Sequence, residues 1–470
     1  MKNKYYKSRR DFLRQFGIAA LGTTAASSVF RLQAMNAAFL NSSAAATSGD
    51  YKALVCFFQP GGNDSFNMLL PRGDAEYAEY ALTRSNLALA QDTILPINPL
   101  VGDGKDYGVH PSLTGIQDLF NNQKLSFVSN IGSLIVPTTK NQFQNETVPL
   151  PLGLFSHADQ IQQWQTASPH YRTPYGWGGA LADMMSELNT NEDISMNIST
   201  AGTNVFQYGQ NIVEFSISPY GGSTGIIGYD NDAENGFDYH RTKAINAMLN
   251  KNYDDIYKET YAKVLKSGRD GSIAFQAAID NVDPITTQFS NNRISQSFNM
   301  VTKAIQAREE LGFKRQIFYV EYGGWDHHDG LLVNHADKLT IVNNAFAEFA
   351  AALEELDLFD CVTTFSISEF GRTLTSNGNG TDHAWGGNVM AMGGAVNGGN
   401  ILGSFPSLEL NNPLEIGGGV LIPTTASDLY FAELALWFGV EPSDLSTLFP
   451  NIGNFYDTGS GTPPLGLMNY

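Results

Sequence analysis

Four short segments of this chain bring acidic, imidazole and glycine residues together. Gly61-Gly62-Asn63-Asp64 directly follows the apolar run 53–58. Gly323-Gly324-Trp325-Asp326-His327-His328-Asp329 follows a second run, 316–322. Ser368-Glu369-Phe370-Gly371-Arg372-Thr373 follows a third, 361–367. Gly380-Thr381-Asp382-His383-Ala384-Trp385-Gly386-Gly387 lies just beyond it. If the three runs are parallel strands of an open sheet, their acids Asp64, Asp326 and Glu369 meet at the carboxyl edge, where such sheets bind ligands. Clustered carboxylates repel unless a cation or proton lies among them. Together with neutral imidazoles they suit zinc, manganese or a similar divalent ion. Each acid alone also suits a turn, because Asp readily bonds its own backbone. Their coincidence at one edge, with the Asp382-His383 pair nearby, is what points to a metal.

Phe155-Ser156-His157-Ala158-Asp159 admits two readings. Ser-x-x-Asp before a helix is a capping pattern with Ser156 as N-cap. The same position lies in the positive potential of a helix start, which favours an alkoxide or a bound phosphate. Ser156 is therefore also a candidate nucleophile. Arg372 has the planar fork to hold an anion, or to pair with one of the acids. His110, before Pro111 at a helix entry, reads as structural. There is no Walker loop and no dinucleotide fingerprint after a strand.

The elements that must position these groups are legible from hydrophobic period. The runs 53–58, 125–131, 316–322 and 361–367 read as strands buried on both faces. Helical spacing marks 112–122, 156–166, 177–188, 341–356 and a helix from Ser427 closed by Gly439. The stretch 190–300 mixes short strands, near 194–200 and 211–218, with helices over about 237–265 and 272–310. Strand, helix and strand from Gln316 to Ile367 form a crossover unit of parallel strands. The tail 458–464 is rich in Gly, Pro, Ser and Thr and reads as loose. One large α/β domain over 47–470, with an insertion at about 190–300, fits best.

Composition narrows the partners. The 470 residues carry a net charge of −19, with 28 Lys+Arg against 47 Asp+Glu. Seven of the basic residues fall in 1–46, which leaves 21 basic against 46 acidic residues in the rest. So acidic a body repels phosphate backbones and anionic lipid, so no nucleic-acid partner is expected. Two cysteines, Cys56 and Cys361, exclude a disulfide framework; both are expected as buried thiols in inner strands. The segment Ser8-Arg9-Arg10-Asp11-Phe12-Leu13 before a weakly apolar run resembles a twin-arginine signal peptide. It predicts a leader over 1–46, the twin-arginine export machinery as a partner, and a periplasmic or secreted protein. No stretch is apolar enough for a stable membrane span.

Taken in order, the leader, Gly-Gly-Asn-Asp, Ser-His, Gly-Gly-x-Asp-x-His, Ser-Glu-Phe-Gly-Arg-Thr and Thr-Asp-His-x-Trp-Gly-Gly resemble the DUF1501 family, exported bacterial proteins of unassigned function. That family is similar to the alkaline phosphatase and sulfatase superfamily. The resemblance implies an alkaline-phosphatase-like three-layer α/β/α domain with a mostly parallel central sheet. It also implies a divalent metal ion (zinc, manganese or calcium) held by Asp64, Asp326, His328, Glu369 and His383, with His327 as the alternative to His328. Ser156 matches the nucleophile, and Arg372, His157 and Asn63 are the implied substrate contacts. Phe370 stands where a second-metal histidine is usual, and no Cys or Ser is followed by x-Pro-x-Arg, so a formylglycine sulfatase is not expected. The implied activity is metal-dependent hydrolysis or transfer of phosphate or sulfate esters, on a small molecule or a glycan. The alternative is a catalytically silent periplasmic or cell-surface binding protein on the same fold.

Overall fold

A computed structural model of the protein describes residues 51–191 and 193–470; the leader expected over 1–46 lies outside them. In chain order the strands are β1 (Lys52–Phe58), β2 (Leu69–Pro71), β3 (Leu95–Ile97), β4 (Tyr107–Val109), β5 (Leu125–Gly132), β6 (Asn197–Ser199), β7 (Phe215–Ser218), β8 (Gly222–Ser223), β9 (Arg315–Glu321), β10 (Val362–Ile367), β11 (Gly387–Met392), β12 (Ile401–Gly403) and β13 (Thr425–Ala426). The longer helices are α1 (Asp74–Arg84), α2 (Thr114–Asn121), α3 (His157–Thr166), α4 (Trp177–Met185), α5 (Gly236–Leu249), α6 (Ile256–Asp280), α7 (Arg293–Gln306), α8 (Leu331–Glu355) and α9 (Ser427–Phe438).

The central sheet runs β12-β5-β11-β10-β1-β9-β6-β7-β8, with β13 also paired to β5, and β2-β4-β3 form a small separate sheet. Pairing is parallel from β10 through β1, β9 and β6 to β7, and antiparallel where β11 enters between β10 and β5. The crossover β9–α8–β10 is present, but its two strands flank β1 instead of touching each other. β1 is buried along its whole length beyond Lys52, as an unbroken apolar run requires.

Register shows the three layers. Cys56 is level with Phe365, and Phe57 with Ser366, so Phe57 and Phe365 point to opposite faces. Phe57 packs on Phe298 of α7 and Phe346 of α8, with ring centroids at 6.1 and 5.3 Å. Phe365 packs on Trp177 of α4 and Tyr430 of α9, at 5.6 and 6.1 Å. The fold is therefore α/β/α with a mostly parallel sheet. Among the described residues, no helix is long and apolar enough to cross a membrane.

Several boundaries differ from expectation. The helix expected over 237–265 is broken after Leu249, and a new one starts at Ile256, where the Asp255 side chain accepts from the Lys258 amide. The next expected helix, 272–310, is interrupted through 281–292 and restarts where the Asn292 side chain caps α7. Asp and Asn offer the backbone an alternative to the helix, and the period alone ran past them. α8 begins ten residues early, after Gly330 in the left-handed region. Cys361 lies in the turn before β10 and is only half-buried, whereas Cys56 is buried in β1; the two are not bridged. Beyond the Gly/Pro tail, Glu433 of α9 accepts from the amides of Leu465, Gly466 and Met468 and from the Tyr470 hydroxyl.

Candidate metal centre

Strands β10, β1 and β9 are neighbours, so the loops after them meet at one edge. Gly61, at φ +123°, runs against the loop after β9; a Cβ there would collide with the Asp326 nitrogen. Gly380 meets the His328 backbone in the same way. Glycine is what lets these backbones approach.

Asp326 is the hub. Its Oδ1 lies 3.0 Å from His328 Nε2 and 3.2 Å from His383 Nε2, and its Oδ2 lies 3.4 Å from His157 Nε2. The Nε2 atoms of His328 and His383 are 3.1 Å apart. The other nitrogen of each ring meets an oxygen. His157 Nδ1 is 2.7 Å from Glu369 Oε1, His328 Nδ1 is 3.1 Å from Asp382 Oδ1, and His383 Nδ1 is 2.8 Å from the Phe155 carbonyl. Carbonyls and ionised carboxylates only accept. Each neutral ring therefore carries its proton on Nδ1 and turns a lone pair at Nε2 toward Asp326.

Three lone pairs and a carboxylate facing one another need a proton or a cation among them. Donors bound at ~2.0–2.1 Å to a tetrahedral zinc-type ion stand roughly 3.3 Å apart, close to the 3.0–3.4 Å separations around Asp326. His157, Asp326 and His383 alone offer three donor atoms mutually within 4.8 Å. The residues fit one divalent ion of zinc type. Calcium, which takes six to eight oxygen ligands, fits this imidazole-rich set poorly.

The charges around the site agree with that geometry. The hydrogen bond that His157 donates to Glu369, helped by the charges of Glu369 and Asp326, raises the His157 pKa against the opposing effect of burial. Partial burial works to raise the pKa of Asp326, but the Arg372 hydrogen bond and charge outweigh it and hold the carboxyl below its ordinary value. Asp382 is likewise lowered, chiefly by the Asn377 amide, which donates to its Oδ1 at 3.1 Å.

Of the residues expected to act here, Asp326, His328 and His383 come together. His157, expected as a substrate contact, joins them as a third imidazole. Glu369 does not face Asp326. It is fully buried, and its Oε1 accepts from the Gly61 amide at 2.7 Å as well as from His157. Asp64 is not in the cluster: its carboxylate pairs with Arg84 of α1, both groups being buried. Arg372, expected to greet substrate, is 1% exposed. It donates to Asp326 Oδ1 at 2.6 Å, to the Gly61 carbonyl at 3.2 Å, and to the Thr381 hydroxyl and carbonyl. Asn63 is also buried, with Oδ1 2.9 Å from His335 Nε2. His327, the alternative to His328, turns into the interior beside His335, ring centroids 6.1 Å apart. Burial lowers its pKa to about 4, and that of His110 to about 4 as well.

Ser156 is the N-cap residue of α3, yet its hydroxyl caps nothing. Asp159, the other half of the expected capping pattern, instead holds Arg172, at 2.9 Å from its Nε. Phe155, in the left-handed region at φ +71°, aims its carbonyl at His383. Such backbone is uncommon for a bulky residue and is tolerated where surroundings hold it. Phe370 walls the centre, its ring 4.9 Å from that of His157 and 4.8 Å from that of His383. Sequence reasoning missed Asp382 and the Phe155 carbonyl as anchors. The Thr381-Asp382-His383 motif carried a signal for Asp382; a carbonyl has none.

Comparison with known proteins places this geometry in context. No curated protein matches the chain in sequence. Among solved structures, it is similar to Ps i-CgsB in complex with k-i-k-neocarrahexaose, with 10% identity, 86% of this chain and 77% of that chain covered, and a TM-score of 0.34. It is also similar to the PsFucS1 sulfatase from Pseudoalteromonas sp., at 10% identity, 87% and 72% coverage and a TM-score of 0.33. Alkaline phosphatase from the Antarctic bacterium TAB5 follows at 11% identity, 73% and 92% coverage and a TM-score of 0.22. Residues 230–417, which hold Asp326, His328, Glu369 and His383, match the family model DUF1501, a protein of unknown function, in keeping with the resemblance carried by the motifs.

Proposed function

We propose that the protein is an exported hydrolase or transferase of phosphate or sulfate esters that works with one divalent ion at Asp326. The observation that carries this reading is the convergence of the His157, His328 and His383 Nε2 atoms on one carboxylate, with every Nδ1 already taken by an acceptor. A divalent ion there would supply Lewis acidity toward an ester oxygen and a lowered nucleophile pKa. The chain's own groups do the rest. Arg372 fixes the Asp326 carboxylate. Glu369, Asp382 and the Phe155 carbonyl hold the three rings in one tautomer and orientation. Ser156, flanked by Phe155 and His157 and free of capping duty, is the candidate nucleophile. The ester class follows from the motif resemblance, and export from the twin-arginine-like leader.

A second reading, binding without turnover, is favoured by one feature: Arg372 is buried and committed to Asp326, so it does not meet an anion. One experiment separates the two. Metal content of the purified protein is measured, followed by turnover of a panel of phosphate and sulfate esters by the metal-loaded protein. Metal with turnover supports the enzyme, and metal without turnover on any ester supports the binding protein. No stoichiometric metal, even after loading with zinc or manganese, removes the basis of both.

A further inference from the structure

The three imidazoles of the metal centre are not held alike. His157 leans on Glu369, which is fully buried, and His383 on a main-chain carbonyl. The side chain of His328 is 45% exposed and leans on that of Asp382, itself 60% exposed. A contact between two exposed side chains fixes little by itself, because water competes for both ends. The main chain of Asp382 is fixed by Thr373, whose amide donates to the Asp382 carbonyl and whose hydroxyl accepts the Asp382 amide, both at 2.9 Å. Its carboxylate needs a further support.

We propose that Asn377 holds that carboxylate, as a positioning residue that acts on His328 through Asp382. Asn377 sits in a tight turn. Its main-chain amide donates to the Gly380 carbonyl, and its Oδ1 accepts the Gly380 amide, each at 3.0 Å. These two bonds close the turn, and an aspartate would make them equally well. The Nδ2 group reaches out of the turn instead. It donates to Asp382 Oδ1 at 3.1 Å and to the His328 carbonyl at 3.2 Å, which accounts for both of its hydrogens. One amide group therefore ties the backbone of His328 to the carboxylate that orients the His328 ring. With those two points fixed against each other, the ring is held where its Nε2 meets Asp326. Gly380 seats the same turn directly on the His328 main chain, with no room for a Cβ. This inference rests on the reading of the centre as a metal site and adds a residue to it.

The test compares the full-length wild type with Asn377→Asp and Asn377→Ala. Zinc affinity is measured by chelator competition, and the visible spectrum is recorded with cobalt in place of zinc. The thermal midpoint of each ion-free protein is the control for folding. Loss of a group that orients a metal-bound histidine weakens metal binding about 10–100-fold. Asn377→Asp keeps the acceptor that closes the turn and sets an oxygen against Asp382 where the amide donated. Its zinc affinity should fall roughly tenfold or more, with shifted cobalt bands and an unchanged ion-free midpoint. Its added negative charge would by itself strengthen zinc binding, so a loss reports orientation and not charge. Asn377→Ala should weaken zinc binding by a similar factor. Zinc binding as tight as the wild type or tighter in either variant overturns the proposal. So does a loss of affinity in Asn377→Asp that comes with a lowered ion-free midpoint and unshifted cobalt bands. A wild type that takes neither zinc nor cobalt overturns the metal reading itself, and this inference with it.

Discussion

Asp64 distinguishes a metal ligand from half of a buried ion pair. Asp64→Asn keeps the shape and removes the charge, leaving the Arg84 guanidinium buried with only the Thr373 and Leu374 carbonyls, at 3.0 and 3.4 Å. Removing one partner of a buried pair costs about 3–5 kcal/mol. The retained carbonyls put Asp64→Asn near the lower end, about 3 kcal/mol. Metal content should not change, because Asp64 lies outside the imidazole cluster. Removing both charges with Asp64→Leu and Arg84→Met should recover most of the loss, since an ion pair replaced by packed apolar groups is often neutral. The assay is urea unfolding of the wild type, Asp64→Asn, the single variants Asp64→Leu and Arg84→Met and their double, the last three read with the wild type as a double-mutant cycle, with elemental analysis of each native protein. An Asn variant that loses its metal while keeping its stability would refute this placement of Asp64.

Asp326→Ala and His383→Ala should each lose the ion, so chelation should lower the thermal midpoint of the wild type and leave both variants unmoved; at a hundredfold excess over Kd the difference is about 2.7 kcal/mol. Ser156→Ala should cost well under the ~1 kcal/mol of a lost N-cap, because the hydroxyl caps nothing. It should also abolish ester turnover with metal retained; full turnover would remove the serine from the chemistry. Glu355 accepts from the Thr286 and Thr287 amides at 2.5 and 2.9 Å, and these bonds lower its pKa from 4.5 to about 2. A depressed carboxylate contributes stability above its unfolded pKa and loses it as pH falls toward the folded value. Glu355→Gln should thus flatten acid unfolding between about pH 4.5 and 2, and an unaltered acid curve counts against it. Arg9→Lys with Arg10→Lys should retain the protein in the cytoplasm, as cell fractionation would show.

Strands β1, β5, β9 and β10 were legible because each is an apolar run short enough for a strand, whereas β2, β3, β4, β11, β12 and β13 carry no such run and were not expected. That alone brought Asp326, Glu369 and Gly61 to one edge. Strand order was not legible, since nothing local tells β1 to lie between β9 and β10. Helix ends in 237–310 were read too long because apolar spacing continues across Asp255 and Asn292, and only the cap geometry shows the breaks. Within the site, the motifs marked which segments matter, while the side-chain roles within them depended on tertiary partners. Asp64 and Glu369 both follow parallel strands, but one finds Arg84 and the other His157. Ser156 carried a capping pattern whose bonds were not formed, because Asp159 goes to Arg172 and Phe155 is turned into the left-handed region.

The anchors behind the three imidazoles come from distant parts of the chain. His157 is held by a residue 212 positions later, and His383 by one 228 positions earlier. No partly synthesised or partly folded chain can therefore present the three lone pairs together. An ion bound by them is bound by the finished fold, and its binding energy counts toward folding. With the side chains of His157, Asp326, His328 and His383 26–45% exposed, an ion could still enter or leave that finished site from solvent.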